Sequence, residues 1–428
     1  MYQLTEENGR LVYRDTTLGI ALTVPEGCTA QLKQTPAMAP LGSEEQVAAA
    51  IRTPASGSPL PEIAAQKKAK SACILVSDAT RAVPTARLAR VVIEELVRGG
   101  IALGDIHCFV AIGVHRPATE EEMRTFLGGY YGKVSVENHT PFDPDNLICL
   151  GETSRGTPIE VNRRAYDCDL HIQIGKVEPH EFAGYSGGRK SVLPGVSSQR
   201  TIQVNHRPEM ILNPRSAIGS LAGNPVHEDM LETAQRFGID FAVNCILNQD
   251  LELAAVFAGT LEESHRQAVD FASERLAVRL ERPDVIVTTP GQPLDIDFYQ
   301  TVKALIALTE AADGNTTIVL LCGCREGVNS PDMLRAFRSG GTLEEAVAYT
   351  VAHYEIQMDH VLLLSKLLRK GVRVIVSCPN VSDEEIRDMY MVPGGDPQSA
   401  LELALRGRRD AHILFYPRPQ TGLPVLAE

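Results

Sequence analysis

The chain has 428 residues, of which 44% are hydrophobic and 22% are charged, and its formal net charge is −13. This composition is typical of a soluble folded protein and excludes a disordered one, while the length predicts two α/β domains. The acidic balance argues against general nucleic-acid binding and against docking on anionic membranes. A polar start and the lack of a long apolar run predict a cytoplasmic protein without a signal peptide or membrane span.

Elements follow in chain order from the spacing of apolar residues. Short alternating runs predict a β-meander over residues 1–35, and Ser43–Ile51 predicts a helix because a serine precedes acidic residues and a helical pattern. Farther on, apolar runs end in polar loops and are followed by helical periodicity, which predicts parallel βαβ units covered on both faces. The predicted strands are Ala72–Val76, His107–Ile112, Leu170–Ile174, Phe241–Leu247, Val285–Val287, Ile318–Leu321, Val372–Val376 and Ile413–Phe415.

The predicted fold class is therefore α/β, with two domains of mainly parallel sheets flanked by helices. A charged, helix-like stretch at Leu261–Arg282 contains the candidate boundary. It divides a larger N-terminal domain, residues 1–270, from a smaller C-terminal domain, residues 271–428.

Polar residues cluster directly after three of the predicted strands. Asp78, Thr80 and Arg81 follow the first, His115 follows the second, and His180 follows the third. Ligands of open α/β sheets bind beyond the carboxyl ends of the strands, so we expect these loops to meet there. A helix cap with a solvated arginine, and a loop histidine before a capped helix, explain the first two groups equally well.

The loop Pro179–Gly195, PHEFAGYSGGRKSVLPG, combines His180, the glycine pair Gly187–Gly188 and Lys190. Its exposed backbone N–H groups and its amine predict a site for a phosphate-like anion. It does not match the GxxxxGK[ST] loop of ATPases, because an arginine separates the last glycine from the lysine. Lys190 is interpreted as a phosphate clamp, a covalent attachment point or a solvated loop lysine.

The remaining metal-binding side chains show no spacing typical of zinc sites. His115, His180, His206 and His227 lack an HxxxH or HExxH pattern, so a single imidazole that completes the coordination of a cofactor-borne metal fits better. The nine cysteines contain no CxxC and suit a reducing cytoplasm. Cys322–Gly–Cys324 is a possible metal or redox pair, but no further cysteine or histidine lies near it in sequence. We therefore expect two core thiols there.

A further polar group lies in the second half of the chain, where the pattern predicts a helix from Phe298 onward. Tyr299 and Lys303 share one face at i, i+4, and Gln300 lies beside Lys303 at i, i+3. A phenol, an amide and an ammonium can hold a small carboxylate. An ordinary surface helix start explains the same residues.

Taken together, these motifs resemble the nickel-dependent lactate racemase family, whose members are nickel-pincer nucleotide 2-hydroxyacid racemases and epimerases. The resemblance covers nearly the whole chain and keeps the order of the motifs. They are DATRAVP, GVHRPATEEE, PHEFAGYSGGRKSVLPG, the trailing Asn205–His206, and DFYQTVKAL.

The resemblance implies an active site in the cleft between two α/β domains. It implies a nickel-pincer nucleotide, Ni(II)-pyridinium-3,5-bisthiocarboxylic acid mononucleotide, tethered to Lys190, with His206 as the protein ligand to nickel. His115 and His180 would be the paired acid/base residues, and the substrate hydrogen would move as a hydride to the cofactor and back. Arg81, Tyr299, Gln300 and Lys303 would orient the substrate carboxylate, while Asp78, Thr80, Arg81, Gly187 and Gly188 would hold the nucleotide.

The implied reaction is inversion of the C2 centre of a 2-hydroxy carboxylic acid, and the implied partners are this small substrate and, transiently, cofactor-biosynthesis proteins. The chain has no tryptophan, so any member that lines its substrate pocket with one differs here. The loop Cys324–Ser330 and the segment Met358–Leu364 are where we expect the pocket to be shaped. Alternatives are a dehydratase or an oxidoreductase with the same cofactor, or a non-catalytic cofactor carrier.

Overall fold

The computed structural model describes residues 1–427, which form an α/β protein. The strands are β1 (Tyr2–Glu7), β2 (Arg10–Asp15), β3 (Ile20–Thr23), β4 (Thr29–Leu32), β5 (Ala72–Ser77), β6 (Ile106–Ala111), β7 (Ser135–Asn138), β8 (Leu147–Glu152), β9 (Pro158–Asn162), β10 (Leu170–Lys176), β11 (Pro179–His180), β12 (Gly184–Tyr185), β13 (Phe241–Leu247), β14 (Leu253–Gly259), β15 (Ala277–Leu280), β16 (Val285–Thr288), β17 (Thr317–Leu321), β18 (Arg373–Ser377), β19 (Val392–Pro393), β20 (His412–Phe415) and β21 (Leu423–Leu426). The helices are α1 (Glu44–Arg52), α2 (Leu60–Lys67), α3 (Thr85–Arg98), α4 (Glu120–Leu127), α5 (Arg163–Tyr166), α6 (Gln199–Asn205), α7 (Pro208–Ile211), α8 (Pro225–Phe237), α9 (Leu261–Arg275), α10 (Phe298–Ala307), α11 (Pro331–Phe337), α12 (Leu343–Ala352), α13 (Asp359–Leu368), α14 (Asp383–Asp388) and α15 (Pro397–Leu405).

Two compact units divide the chain. The N-terminal unit comprises Ala37–Met210 and Arg215–Arg275, and the C-terminal unit comprises Met1–Pro36, Ile211–Pro214 and the chain from Leu276 onward. The α/β class with mainly parallel sheets is confirmed, and each predicted strand is present to within two residues at each end.

The N-terminal unit contains a six-stranded sheet in the order β14-β13-β10-β5-β6-β7. Its strands are parallel except for β14, which runs antiparallel to β13. Side chains that alternate along β5 enter two different cores, as the apolar pattern predicts. Ile74 and Val76 pack with α3, whereas Cys73 and Leu75 pack with Phe237 of α8. Both faces of the sheet are therefore buried.

The C-terminal unit contains a second six-stranded sheet, in the order β19-β18-β17-β16-β20-β4, and all its strand pairs are parallel. The predicted meander is present as the antiparallel sheet β1-β2-β3. Its buried Tyr13 stacks on Phe415 of β20, with ring centroids 4.3 Å apart. The first part of the chain therefore completes the core of the last part.

This arrangement corrects the predicted N-terminal domain, residues 1–270, and the C-terminal domain, residues 271–428. The first 36 residues belong to the C-terminal unit, because β4 pairs with β20 along Thr29–Leu32. Helix α9 also stays whole and ends at Arg275, after which Ala277–Leu280 forms a strand instead of continuing the predicted helix. The charged residues around that strand obscured its apolar alternation in the sequence, so the strand was not predicted.

Among residues 1–427, none of the helices is both long and apolar enough to cross a bilayer. Helix α1 shows how locally the ends of helices are specified. Ser43 caps it by accepting a hydrogen bond from the Gln46 N–H, and the Gln46 side chain bonds back to the Ser43 backbone. The predicted serine start of this helix is confirmed.

Candidate active site

Three loops that carry predicted site residues leave the same edge of the N-terminal sheet. Strands β10, β5 and β6 are neighbours and run parallel, so their carboxyl ends lie side by side. The loop after β6 also meets the loop that follows Lys190, since Gly113 N–H donates to the Gly195 carbonyl at 2.9 Å. Sheet topology thus brings to one edge residues that are up to about a hundred positions apart in sequence.

Asp78 and His115 form a hydrogen-bonded pair at this edge. His115 Nδ1 lies 2.8 Å from Asp78 Oδ2, and Thr80 N–H donates to Asp78 Oδ1 at 2.8 Å. Burial opposes ionisation of this carboxyl, but the hydrogen bonds from His115 and Thr80 outweigh burial and lower the pKa of Asp78. Because a carboxylate only accepts, the ring proton of His115 is on Nδ1, and Nε2 carries the lone pair.

Arg81 ends the short 3₁₀ turn that Asp78 caps, Ala79–Arg81. The same turn therefore presents a carboxylate, a hydroxyl and a guanidinium, and Arg81 contributes to the lowered pKa of Asp78. The helix-cap interpretation and the ligand-binding interpretation of this motif are compatible, since Asp78 both caps the turn and holds His115.

His180 lies in a short hairpin, in which β11 and β12 have two residues each, and it contacts Lys190. Lys190 Nζ is 3.0 Å from His180 Nε2. On the other side of the ring, Nδ1 accepts from the Ala183 N–H at 3.4 Å and lies 3.4 Å from Glu181 Oε2, so both ring nitrogens have neighbours. The hairpin closes through Pro179↔Tyr185 and His180↔Gly184 pairing.

Phe182, which the sequence did not single out, touches all three groups of this cluster. Its ring meets the rings of His180 and His206 edge-on, with centroids 4.8 and 5.1 Å away. Lys190 Nζ lies 5.6 Å from the centre of the same ring. Phe182 is also buried, so it fixes the separation of the two imidazoles and the amine.

The structure holds His206 as a neutral imidazole. It follows α6, and its Nδ1–H donates to the Ile202 carbonyl at 2.9 Å, which leaves the lone pair on Nε2. Burial, and next the positive charge of Lys190, lower the pKa of His206 to about 3. A neutral ring that is partly buried and has one nitrogen held by a backbone carbonyl is compatible with metal binding through the other nitrogen. His227 lies elsewhere, with its ring stacked against His265.

A buried polar network holds the 3₁₀ turn Gly188–Ser191, which carries Lys190. Asn244 Oδ1 accepts from Gly188 N–H at 2.9 Å and from Gln173 Nε2 at 3.2 Å. Gln173 Oε1 in turn accepts from the Ser191 hydroxyl at 3.0 Å. Gln173 and Asn244 were not identified from the sequence as residues that support the site. Both lie in otherwise apolar strands, where the only indication of such a role is that the residue is polar.

Close packing explains why glycine occupies positions 187 and 188, in addition to the predicted role of this pair in nucleotide binding. Both residues have positive φ, 75° for Gly187 and 50° for Gly188. A β-carbon at Gly187 would lie 2.5 Å from Val177, and one at Gly188 would lie 2.8 Å from His265. The Gly188 N–H is bonded to Asn244, so the contribution of this pair to nucleotide binding stays a prediction.

Arg189, the residue that interrupts the ATPase pattern, is buried and hydrogen-bonds to carbonyl groups of its own loop. Its side chain is 1% exposed and donates to the Ala183 carbonyl at 2.8 Å. Weaker contacts at 3.4 Å reach the carbonyls of Ser186 and Gly187, and burial lowers the pKa of Arg189 to about 9. The arginine therefore stabilises the conformation of the loop from within. The neighbouring Lys190 contacts His180 instead.

In the C-terminal unit, α10 carries Tyr299, Gln300 and Lys303 on its first turns, and the predicted helix from Phe298 is confirmed. All three side chains are half-buried. Asp297 caps the helix by accepting from Gln300 N–H at 2.7 Å, and Asn329 also donates to Asp297 at 2.9 Å. Whether these side chains hold a substrate stays a prediction.

The two segments expected to shape a pocket both pack on the start of α10. Phe298 and Tyr299 N–H groups donate to the carbonyls of Gly327 and Val328 at 2.9 and 3.2 Å. From Met358–Leu364, the ring of buried His360 lies 4.1 Å from the ring of Tyr299. His360 is thus the aromatic neighbour of Tyr299 in a chain without tryptophan.

The expectation of an isolated cysteine pair needs correction. Cys378 joins Cys322 and Cys324, and the three sulfur atoms lie within 4.8 Å of one another. Leu321 of β17 pairs with Ser377 of β18, so the cysteines that follow these residues become neighbours. Their 56-residue separation in sequence concealed this contact.

Comparisons with known proteins agree with the motifs. The chain matches the model of the lactate racemase N-terminal domain over residues 16–219 and that of the C-terminal domain over residues 278–419. Lactate racemase of Thermoanaerobacterium thermosaccharolyticum is 30% identical over 375 residues, which cover 85% of this chain and 86% of the relative. Lactate racemase of Lactiplantibacillus plantarum is 34% identical over 293 residues, which cover 67% and 68%.

Solved structures show the same fold. The lactate racemase apoprotein of T. thermosaccharolyticum superposes with a TM-score of 0.85 at 28% identity, covering 96% of this chain and 97% of the other. A crystal structure of a Thermotoga maritima protein superposes with a TM-score of 0.66 at 18% identity and supports the fold alone. With two family models that together span most of its length and a relative at 30% identity, the chain belongs to the lactate racemase family.

Proposed function

We propose that this protein is a racemase or epimerase that inverts the C2 centre of a 2-hydroxy carboxylic acid. Lactate, the acid in the names of its relatives, is the first candidate substrate. The proposal extends to other 2-hydroxy acids, because the surroundings of Tyr299 include His360 and no tryptophan is present in the chain.

One observation carries the proposal: three imidazoles of the N-terminal unit each have a ring nitrogen held by a neighbouring group. Asp78 holds His115 Nδ1 at 2.8 Å, Lys190 Nζ contacts His180 Nε2 at 3.0 Å, and the Ile202 carbonyl accepts from His206 Nδ1–H at 2.9 Å. The first two imidazoles suit general acid–base work on a hydroxyl group near neutral pH. The third, a neutral ring with its lone pair on Nε2, suits a metal.

The residues present fit the nickel-pincer nucleotide. Lys190 would carry the tether and His206 Nε2 would bind the nickel, while Asp78, Thr80, Arg81 and the Gly187–Gly188 turn would hold the nucleotide. When bound, this group supplies an acceptor for the C2 hydrogen as a hydride. Acylation of Lys190 removes its positive charge beside His180 and His206, so tethering also changes the electrostatics of both rings.

The chain's own residues would then divide the remaining work. One of His115 and His180 takes the hydroxyl proton of the substrate at Nε2, and the other protonates the same oxygen when the hydrogen returns to the opposite face. Arg81, Tyr299, Gln300 and Lys303 would orient the carboxylate, a task for which a guanidinium and an ammonium are suited. The product has the opposite chirality because the hydrogen leaves one face of C2 and returns to the other.

The test is to incubate the cofactor-loaded protein in heavy water with single enantiomers of lactate, malate and longer 2-hydroxy acids. Chirality and deuterium content at C2 are then measured together. We expect inversion of at least one acid with the original C2 hydrogen retained, since hydride return does not draw on solvent. No inversion of any acid by loaded protein would refute the proposal. Accumulation of a keto acid or an unsaturated acid without inversion would indicate an oxidoreductase or dehydratase instead.

A further inference from the structure

A second cluster of chemically active side chains lies in the C-terminal unit, and the reaction proposed above does not use it. Cys322, Cys324 and Cys378 place their sulfur atoms within 4.8 Å of one another. Cys322 and Cys324 are buried, whereas Cys378 is partly exposed. Nine free cysteines are present in all, and no other group of three metal-binding side chains occurs among residues 1–427.

The cluster is built by the sheet and not by chance proximity of loops. β17 and β18 are adjacent parallel strands, and Cys322 N–H donates to the Ser377 carbonyl at 3.1 Å just beyond their ends. Cys322 and Cys378 therefore leave the sheet side by side. Cys324 returns toward them through a left-handed backbone conformation, with φ of 44°, which a non-glycine residue adopts only at a cost.

We propose that Cys322, Cys324 and Cys378 form a site for a soft, thiophilic metal ion, with Zn(II) and Cu(I) as the two ions of this class that three thiolates suit. Thiolates select these metals over hard cations. Sulfur atoms on a tetrahedral zinc lie about 3.8 Å apart, given Zn–S bonds of about 2.3 Å, so the observed cluster closes on a metal with small side-chain rotations. The exposed side of Cys378 leaves a fourth position for water or an external ligand.

Polar groups surround the sulfur atoms and hold them in place. The Cys378 thiol donates to the Gly323 carbonyl at 3.6 Å, and the Thr301 hydroxyl lies 3.4 Å from the Cys324 sulfur. The loop between the first two cysteines is held in place, since Gly323 N–H donates to Asp295 at 2.7 Å and its carbonyl accepts from Asn380 at 2.7 Å. Metal binding releases the remaining thiol protons to solvent.

A bound metal would stiffen the segment that supports α10. The loop after Cys324 donates from Glu326 N–H to the Ile296 carbonyl at 2.9 Å and accepts from the first N–H groups of α10. Thr301, which touches Cys324, is also in α10. A ligand that binds the folded chain raises its unfolding temperature, so occupancy of this site has a readout that is independent of catalysis.

The experiment titrates the full-length chain, reduced and stripped of metal, with Zn(II), with Cu(I) and with Co(II) as a spectroscopic probe. We expect one equivalent of Zn(II) or Cu(I) to bind, Co(II) to show thiolate charge-transfer absorption, and the unfolding temperature to rise. Cys378→Ser, a change at the partly exposed member, should weaken binding by roughly a hundredfold or more, since loss of an outer-shell partner alone costs up to about that much.

Two control variants separate this site from other sources of metal binding. Cys28→Ser changes a partly buried thiol of the same unit, and Cys149→Ser changes an exposed thiol of the N-terminal unit, so both should bind like the unmodified chain. Lack of metal uptake by the reduced chain, or unchanged uptake by Cys378→Ser, would overturn the proposal. So would a Co(II) spectrum without sulfur ligation, or a disulfide within the cluster whose reduction restores no metal binding.

Discussion

His115 and His180 differ in the side chains that hold them. Asp78 is anionic and orients the partly exposed His115 from its Nδ1 side, which stabilises the ring when it gains a proton. Lys190 Nζ instead contacts Nε2 of His180 at 3.0 Å, so that nitrogen is occupied in the untethered chain. Tethering a cofactor to Lys190 would therefore make this nitrogen available for the proposed role of His180.

The Asp78–His115 pair leads to a prediction for Asp78→Asn. The amide keeps the shape but loses the charge that stabilises protonated His115, so we expect inversion to slow by roughly tenfold or more. Asp143→Asn is the matched control, because Asp143 also caps a 3₁₀ turn, Pro144–Asn146, and holds no histidine. Equal rates for the two variants would contradict a role for Asp78 in catalysis.

The same pair predicts a pH dependence of stability. Because the pKa of Asp78 is lowered in the folded chain, its carboxylate stabilises the fold above the unfolded pKa of about 3.9, and this stabilisation is lost as pH falls toward the folded value. The difference in unfolding free energy between the unmodified chain and Asp78→Asn should therefore shrink as pH falls below about pH 4. Urea titrations at several pH values measure it.

Lys190→Ala tests the tether. Intact-protein mass spectrometry of the chain, expressed with the cofactor-synthesis machinery, should show a mass increment that the variant lacks. Lys176→Ala is the control, since Lys176 is a nearby lysine that pairs with Glu178 at 2.7 Å. An increment on Lys190→Ala would show that the attachment lies elsewhere.

At the scale of elements, the loop between β10 and α6 is shaped by partners that come from distant strands. Asn244 of β13 and Gln173 of β10 hold the turn that presents Lys190, and Arg189 binds the loop carbonyls from inside. The motif PHEFAGYSGGRK identified the loop but not these supports. Their partners become neighbours only when the sheet order β13-β10-β5 is known.

Asn244→Ala measures how much the hydrogen bonds of Asn244 contribute to the free energy of unfolding. It leaves the Gly188 N–H without an acceptor in a buried place and removes the nearer of the two acceptors of the Gln173 amide, which should lower the free energy of unfolding by about 2–3 kcal/mol. Faster amide exchange at Gly188–Ser191 should accompany the loss. Asn146→Ala is the control, because Asn146 bonds Thr140 at the surface. Similar losses for both variants would contradict a special role for Asn244.

Strands and helices with a clear apolar period were predictable in both units, as β5, β13 and α10 show. The pairing of segments that are far apart in the chain could not be predicted from the sequence. Apolar alternation alone predicted the meander at the start of the chain, but it did not reveal that β4 joins β20. The contact of Cys378 with Cys322 escaped prediction for the same reason, since parallel strands bring together residues whose separation in sequence is long.

At the scale of the whole molecule, the first 36 residues are part of a core that is completed by the last strands. Tyr13→Ala should therefore destabilise the C-terminal unit by about 3 kcal/mol, because it removes a buried ring stacked on Phe415. Tyr13→Phe keeps the ring and should be nearly neutral. Chemical denaturation checks both, and equal stability of Tyr13→Ala and the unmodified chain would contradict the pairing of the chain's two ends.

The most direct single measurement is the rate of inversion from each enantiomer of a turned-over 2-hydroxy acid by His115→Asn and His180→Asn, with cofactor loading verified by intact mass on the same samples. Both variants should keep the mass increment on Lys190 and lose inversion in both directions by roughly a hundredfold or more, because each direction needs one ring as base and the other as acid. A loaded variant that inverts either enantiomer at the unmodified rate would contradict the paired-histidine function.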